Sequence, residues 1–237
     1  MKTIGLIGGM SWESSLEYYR LINEFVKSNL GGLHSAKSIM YSVDFDEIEK
    51  LQHKNQWKKA SRILVKAGMG LEKAGADLII LCTNTMHKVA GDIEKNVNIP
   101  FIHIADATAE KIKKNKVTTI GLLGTKFTME EDFYKGRLEK KHQLQVIIPT
   151  STERQVVHDI IYEELCLGKI KNSSKNKFLK IIHGLEKKGA EGIILGCTEI
   201  TLLVQQKDTK TKLFDTTKIH AEFAALSAIS DFTVGVE

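Results

Sequence analysis

The chain repeats itself, and the repeat limits what it can fold into. TIGLIGG at 3–9 returns as TIGLLGT at 119–125, and GADLIILCTNT at 75–85 returns as GAEGIILGCTE at 189–199. The second element of each pair follows a similar helix tail, LEKAGA or LEKKGA. The elements start 72 residues apart in the first copy (3 to 75) and 70 apart in the second (119 to 189). Short Ile/Leu-rich runs closed by glycine read as buried strands. Such runs occur in any parallel sheet, so similarity alone proves little. Matched order and spacing favour a duplication, with two pseudo-symmetric α/β halves.

The stretches between the strands are helical. Ser11 precedes Leu16, Tyr19, Leu21, Ile22, Phe25 and Val26 at helical spacing, and Gly31-Gly32 close the run. Ser38–Val43 reads as a strand, 56–74 as a helix, and Leu78–Leu81 as a strand. Helices are expected around 86–95, 104–115 and 216–230, with a short strand after Pro100. Strands alternating with helices predict mainly parallel sheets flanked by helices. The expected halves are 1–116 and 117–208, with 209–232 packing back on the first half.

Composition excludes several classes. No window approaches the roughly 18 apolar residues of a membrane helix, and MKTIGLIGG has no signal-peptide apolar region. The net charge of +5 is mild, and lysine runs such as EKIKKNK (110–116) alternate with apolar positions. They read as solvated helix faces rather than a nucleic-acid footprint. Three cysteines, Cys82, Cys166 and Cys197, form neither a disulfide framework nor a zinc pattern, which suits a reducing cytoplasm. The histidines lack metal-ligand spacing. GLIGGM lacks the third glycine of a dinucleotide fingerprint. No pyridoxal-phosphate lysine is recognisable, so neither cofactor nor metal is expected.

Aligning the two copies without gaps pairs Gly75 with Gly189 and Ile79-Ile80-Leu81 with Ile193-Ile194-Leu195. Cys82 then falls on Gly196, and Thr83 falls on Cys197. Adjacent side chains on a strand point to opposite faces, so Cys82 and Thr83 cannot serve one site. Ligands of open parallel sheets bind beyond the carboxyl ends of the strands. Thr83 and Cys197 stand there, before expected helix starts whose free N–H groups suit a carboxylate. The same field is expected to lower the cysteine pKa and favour its thiolate. Two opposed proton-transfer groups can remove a proton from one face of a carbon and return it on the other.

GLIGGMSWES (5–14), CTNTMH (82–87), GLLGT (121–125) and GCTEI (196–200) together resemble the cofactor-independent aspartate/glutamate racemases over nearly the whole chain. LGGLHSA (30–36), HIADAT (103–108) and EELCLG (163–168) are similar to a bacterial branch with broad specificity for acidic amino acids. The resemblance implies a homodimeric enzyme with a two-base mechanism and a site between two α/β domains. Its members carry a cysteine in each half; here the first position is Thr83. An alcohol is a far poorer base than a thiolate, so turnover is expected to differ between enantiomers.

The loop Met10-Ser11 is expected to touch substrate, although Ser11 also suits a helix N-cap. The resemblance places the α-carboxylate and amino group near Asn84 and Thr85, with Thr125, Thr198 and Glu199 as second-half counterparts. Glu199 can orient or tune Cys197. Gln52 and the Tyr162-Glu163-Glu164 segment lie where relatives reach the distal carboxylate, and Glu164 is included as a candidate contact. Cys166 reads as a small core residue, and His87 as a packing or capping group, with a base behind the site as the alternative. The rival readings are a hydantoin racemase, a maleate isomerase, a malonate decarboxylase, or a non-catalytic dicarboxylate binder.

Overall fold

A computed structural model of the chain describes residues 1–230. The described residues form two four-stranded sheets, in which every pairing is parallel. The first contains β1 (Ile4–Gly8), β2 (Ser38–Ser42), β3 (Leu78–Leu81) and β4 (Phe101–Ile102), in the order β2-β1-β3-β4. The second contains β5 (Thr119–Gly124), β6 (Gln145–Ile147), β7 (Gly192–Gly196) and β8 (Lys212–Asp215), in the order β6-β5-β7-β8. The same order in both sheets is what a duplicated unit produces.

The first half carries α1 (Trp12–Leu30), α2 (Phe45–His53), α3 (Trp57–Lys73) and α4 (Ala90–Asn96), with a 3-10 turn at Thr85–Val89. The expected helix at 86–95 is thus split in two. There follow α5 (Ile104–Lys114), α6 (Lys126–Glu130), α7 (Lys135–His142), α8 (Ser151–Glu163), α9 (Asn172–Lys187), α10 (Ile200–Leu203) and α11 (Thr216–Ile229).

The described residues divide into one unit of 1–104 with 220–230, and a second of 105–219. This differs from the sequence-based boundaries, for two physical reasons. Asp106 on α5 takes two hydrogen bonds from Arg137 at 2.8 and 2.7 Å, and others from Lys141 and His142, which ties α5 to α7. Residues 212–215 pair with β7 and so belong to the second sheet. The packing-back segment therefore begins at His220, and its expected residues 231–232 lie outside the described residues.

In the first unit, strand alternation sorts the core. Ile4, Leu6, Leu78, Ile80 and Cys82 pack with α1 and with Ala221, Ala224, Ala225, Ala228 and Ile229 of α11. Ile7, Ile79 and Leu81 pack on the other face with Ala60, Leu64, Ala67 and Leu71 of α3. Each such large aliphatic burial contributes about 1.5–3 kcal/mol. In the second unit, α8 and α9 pack against β5. Ile160, Ile161, Phe178, Ile182 and Leu185 are buried there. The lysines of α5 are exposed while Ile112 between them is buried.

Candidate active site

The carboxyl ends of β1 and β3 lie side by side, because Ile7 pairs with Leu81. Past β1, Gly9 has φ +93°, and a Cβ there would sit 2.1 Å from the Val43 carbonyl oxygen. Only glycine lets this turn pass so close to the chain leaving β2. Gly9 N–H donates to Ser15 Oγ at 2.7 Å, and Ser15 Oγ donates to the Ser11 carbonyl at 3.0 Å. Ser11 Oγ accepts from Ser14 N–H and caps α1, so the capping role of Ser11 is real. Met10 is buried.

Past β3, the alternation holds into the loop. Cys82 is fully buried in the cluster beneath α1 and α11, and burial pushes its thiol pKa well up. Thr83 is half-buried. Its N–H donates to Leu81 O at 2.9 Å, and its carbonyl lies 2.7 Å from His87 Nδ1. Among the described residues, its hydroxyl makes no hydrogen bond. Asn84 and Thr85 are buried at the start of the 3-10 turn. Asn84 makes no capping hydrogen bond with its side chain, so simple capping does not explain it. Gln52, buried on α2, donates from Nε2 to Met86 Sδ at 2.9 Å and so braces the same loop.

The second unit repeats the arrangement. Gly124 at the end of β5 pairs with Gly196 at the end of β7. Thr125, the next residue on, caps α6 through its hydroxyl and is buried. Cys197 follows Gly196 and is half-buried. Its thiol donates to Glu199 Oε2 at 2.9 Å. Burial, then the Glu199 charge and the neighbouring Cys166 thiol, raise the Cys197 pKa well above that of an ordinary cysteine. The expected lowering is therefore corrected. α10 is a four-residue helix, too short to supply a strong dipole field, and the nearby carboxylate disfavours a second negative charge. The Thr198 carbonyl accepts from Thr201 Oγ1 at 2.8 Å.

Two residues read differently in the structure. Glu164 closes α8, and its carboxylate accepts from Ser174 Oγ at 2.6 Å and Lys171 Nζ at 3.1 Å. These bonds hold its pKa below the usual range, so the carboxylate is occupied by the α8–α9 connection. Cys166 lies in a 3-10 turn that packs against α10, near enough to Cys197 to raise its pKa. Sequence reasoning missed this role because no local pattern joins residues 166 and 197. Among the described residues, no group of three or more His, Cys, Asp or Glu side chains is arranged to hold a metal.

Two parallel sheets of identical order, each followed by a small polar or thiol residue, make a duplicated α/β frame. The family model described as Asp/Glu/Hydantoin racemase matches residues 7–224. A Yersinia pestis structure assigned to the Asp/Glu racemases shares 57% identity, with TM-score 0.92, covering 97% of this chain and 100% of that one. An aspartate racemase homologue from Pyrococcus horikoshii OT3 shares 40% identity, with TM-score 0.84, covering 96% and 99%. The broad specificity amino-acid racemase RacX of Bacillus subtilis (strain 168) is 23% identical over 171 residues, 67% of this chain and 69% of RacX. The chain belongs to the Asp/Glu/hydantoin racemase family. It is accordingly an isomerase of the amino-acid racemase class.

Proposed function

We propose that the chain racemises glutamate, aspartate or both, without cofactor, by proton transfer at the α-carbon between Thr83 and Cys197. One observation carries the reading. Thr83 and Cys197 stand at the same position past equivalent central strands, β3 and β7, of two sheets with the same order. The names of the relatives support an acidic amino acid as substrate.

In this scheme the Cys197 sulfur takes the α-proton as its own thiol proton passes to Glu199 Oε2. The resulting carbanion takes a proton from the Thr83 hydroxyl, which solvent replenishes. In the other direction, the Thr83 oxygen takes the α-proton as its own hydroxyl proton passes to solvent. The Cys197 thiol gives its proton to the opposite face of the carbanion and takes one back from solvent. Met10, Ser11, Asn84, Thr85, Thr125 and Thr198 supply the substrate contacts. Gln52 is the candidate for the distal carboxylate. Glu164 is omitted because its carboxylate is engaged.

Cytoplasmic residence and a homodimer complete the proposal. Three free thiols support the first. The second is supported by an exposed apolar stripe on α1, Trp12, Leu16 and Tyr19, at 65%, 58% and 51% exposure.

The test is racemisation of each glutamate and aspartate enantiomer in deuterated water without added cofactor. Inversion with deuterium entering the α-position is expected. Binding without exchange would leave a dicarboxylate-binding protein, and turnover of hydantoins or maleate alone would move the chain to another branch.

A further inference from the structure

The 3-10 turn Thr85–Val89 carries a histidine that the proton-transfer scheme leaves unused. His87 is buried, and both its ring nitrogens have defined backbone partners. Nδ1 lies 2.7 Å from the Thr83 carbonyl oxygen, and Nε2 lies 3.2 Å from the Ile104 amide nitrogen. A carbonyl only accepts and an amide N–H only donates, so Nδ1 carries the proton and Nε2 is the acceptor. The ring is therefore neutral and in one tautomer. Its orientation is further fixed by Phe101, His103 and His220, whose ring centroids lie 5.8, 4.5 and 5.8 Å away.

The consequence falls on Thr83. No backbone N–H donates to its carbonyl among the described residues, because the His87 amide bonds Asn84 O instead, at 3.1 Å. The imidazole replaces the missing helical bond. With the Thr83 N–H held by Leu81 O at 2.9 Å, both backbone groups of this residue are tied down. The position of the hydroxyl oxygen then depends on χ1 alone, which a β-branched residue already restricts.

We propose that His87 is a positioning residue for Thr83: its Nδ1–H fixes the Thr83 peptide, and Ile104 N–H fixes the tautomer that makes this bond. The proposal rests on Thr83 being one of the two proton-transfer groups.

The chain itself supplies the control. Asn23, Asn29, Asn96 and Asn115 each donate from Nδ2 to the carbonyl four residues earlier, at 2.8 Å. An asparagine at 87 therefore keeps a donor for Thr83 O while losing the ring. His87→Leu keeps bulk and loses the donor. Both variants are assayed in deuterated water for inversion and for α-deuterium entry with retention, which requires Cys197 and not Thr83. His87→Leu is expected to slow inversion roughly 10- to 100-fold, the scale of a misplaced catalytic group, while entry with retention stays at the wild-type rate. His87→Asn is expected to recover most of the inversion.

Equal losses in the two variants, or parallel loss of inversion and retention exchange, would overturn the proposal. A variant-free measurement stands beside them. The ring ¹⁵N spectrum of the wild-type protein must show a protonated Nδ1 and a bare Nε2, and an Nε2–H tautomer overturns the assignment whether or not His87→Leu folds. If the wild type neither inverts nor exchanges any acidic amino acid, the racemase reading itself fails, and the ring spectrum still decides whether His87 holds the Thr83 peptide.

Discussion

Cys197 donates its thiol hydrogen to Glu199 Oε2 across 2.9 Å. The cysteine thus rests as an acid with its own proton acceptor attached, not as a free thiolate. Glu199→Gln removes both a like charge and the acceptor that favours the thiol form. The thiol is expected to ionise at lower pH in this variant. Racemisation is expected to fall roughly 100-fold, because the displaced proton has no carboxylate to enter. Iodoacetamide alkylation as a function of pH, with turnover measured alongside, checks both halves. An unchanged alkylation profile would detach Glu199 from Cys197.

The two strand-end cysteines should behave in opposite ways. Cys197→Ser is expected to lose racemisation by at least about 100-fold, the scale of losing a general acid–base group. Cys82 is fully buried in an apolar cluster, so Cys82→Ser places a hydroxyl there at a cost of about 1–3 kcal/mol. Its turnover per folded molecule should stay near wild type. Denaturant midpoints and kcat for both variants give the ranking, and the reverse ranking would sink the assignment of Cys197.

Turnover numbers should differ between enantiomers, since a thiol–carboxylate pair serves one direction and an isolated hydroxyl the other. The two values of kcat/KM are bound to be equal, because enantiomers have equal free energy. The asymmetry must therefore appear in kcat and KM together, and progress curves from each pure enantiomer reveal it. Equal kcat values would mean that Thr83 has an activating partner.

Much of this was legible in the sequence because parallel strands announce themselves as short apolar runs, and because the chain writes its sheet twice. Leu81-Cys82-Thr83 against Leu195-Gly196-Cys197 gave the side-chain parity, and Ser11 gave the start of α1. The boundary at Ile104 was hidden, since the grip of Asp106 on Arg137, Lys141 and His142 spans more than 30 residues. The direction of the Cys197 pKa was also hidden. Its largest cause, burial, and the contribution of Cys166 are encoded by no local pattern, although the Glu199 charge two residues on was readable. The bond from His87 to Thr83 spans only four residues, but its second partner, Ile104, is supplied by the fold.

Gly9→Ala should damage the site from beneath. The added methyl would meet both the carbonyl oxygen and the amide nitrogen of Val43, at 2.1 and 2.6 Å, at a φ of +93°. Backbone atoms cannot swing aside as a side-chain tip can, so Met10 and Ser11 must shift. The cost is expected to be at least about 1–3 kcal/mol, with KM for the acidic amino acid raised. A thermal unfolding curve and substrate titration check it, and wild-type values for both would show that the loop adapts freely.

His220 sets a pH window for stability. Tyr18 OH bonds its Nδ1 at 2.8 Å, and its Nε2 bonds the Ile102 carbonyl at 2.9 Å. Burial lowers its pKa from 6.5 to about 4. The folded state therefore prefers the neutral ring, while the unfolded chain takes up a proton first as pH falls. Stability from this group is complete above about pH 6.5 and is lost progressively down to about pH 4, at up to about 1.4 kcal/mol per pH unit. The whole window amounts to roughly 3 kcal/mol. Asp106 does not share it: burial opposes its charge, but bonds from Arg137, Lys141 and His142 hold its pKa far below the usual range. Its contribution fades only at more acid pH. His220→Gln keeps an amide for Ile102 O but cannot titrate, so its stability should be lower at pH 7 and nearly flat down to pH 5. Urea midpoints of both proteins at pH 7 and pH 5 decide the matter, and a variant that retains the wild-type slope would place the acid sensitivity elsewhere.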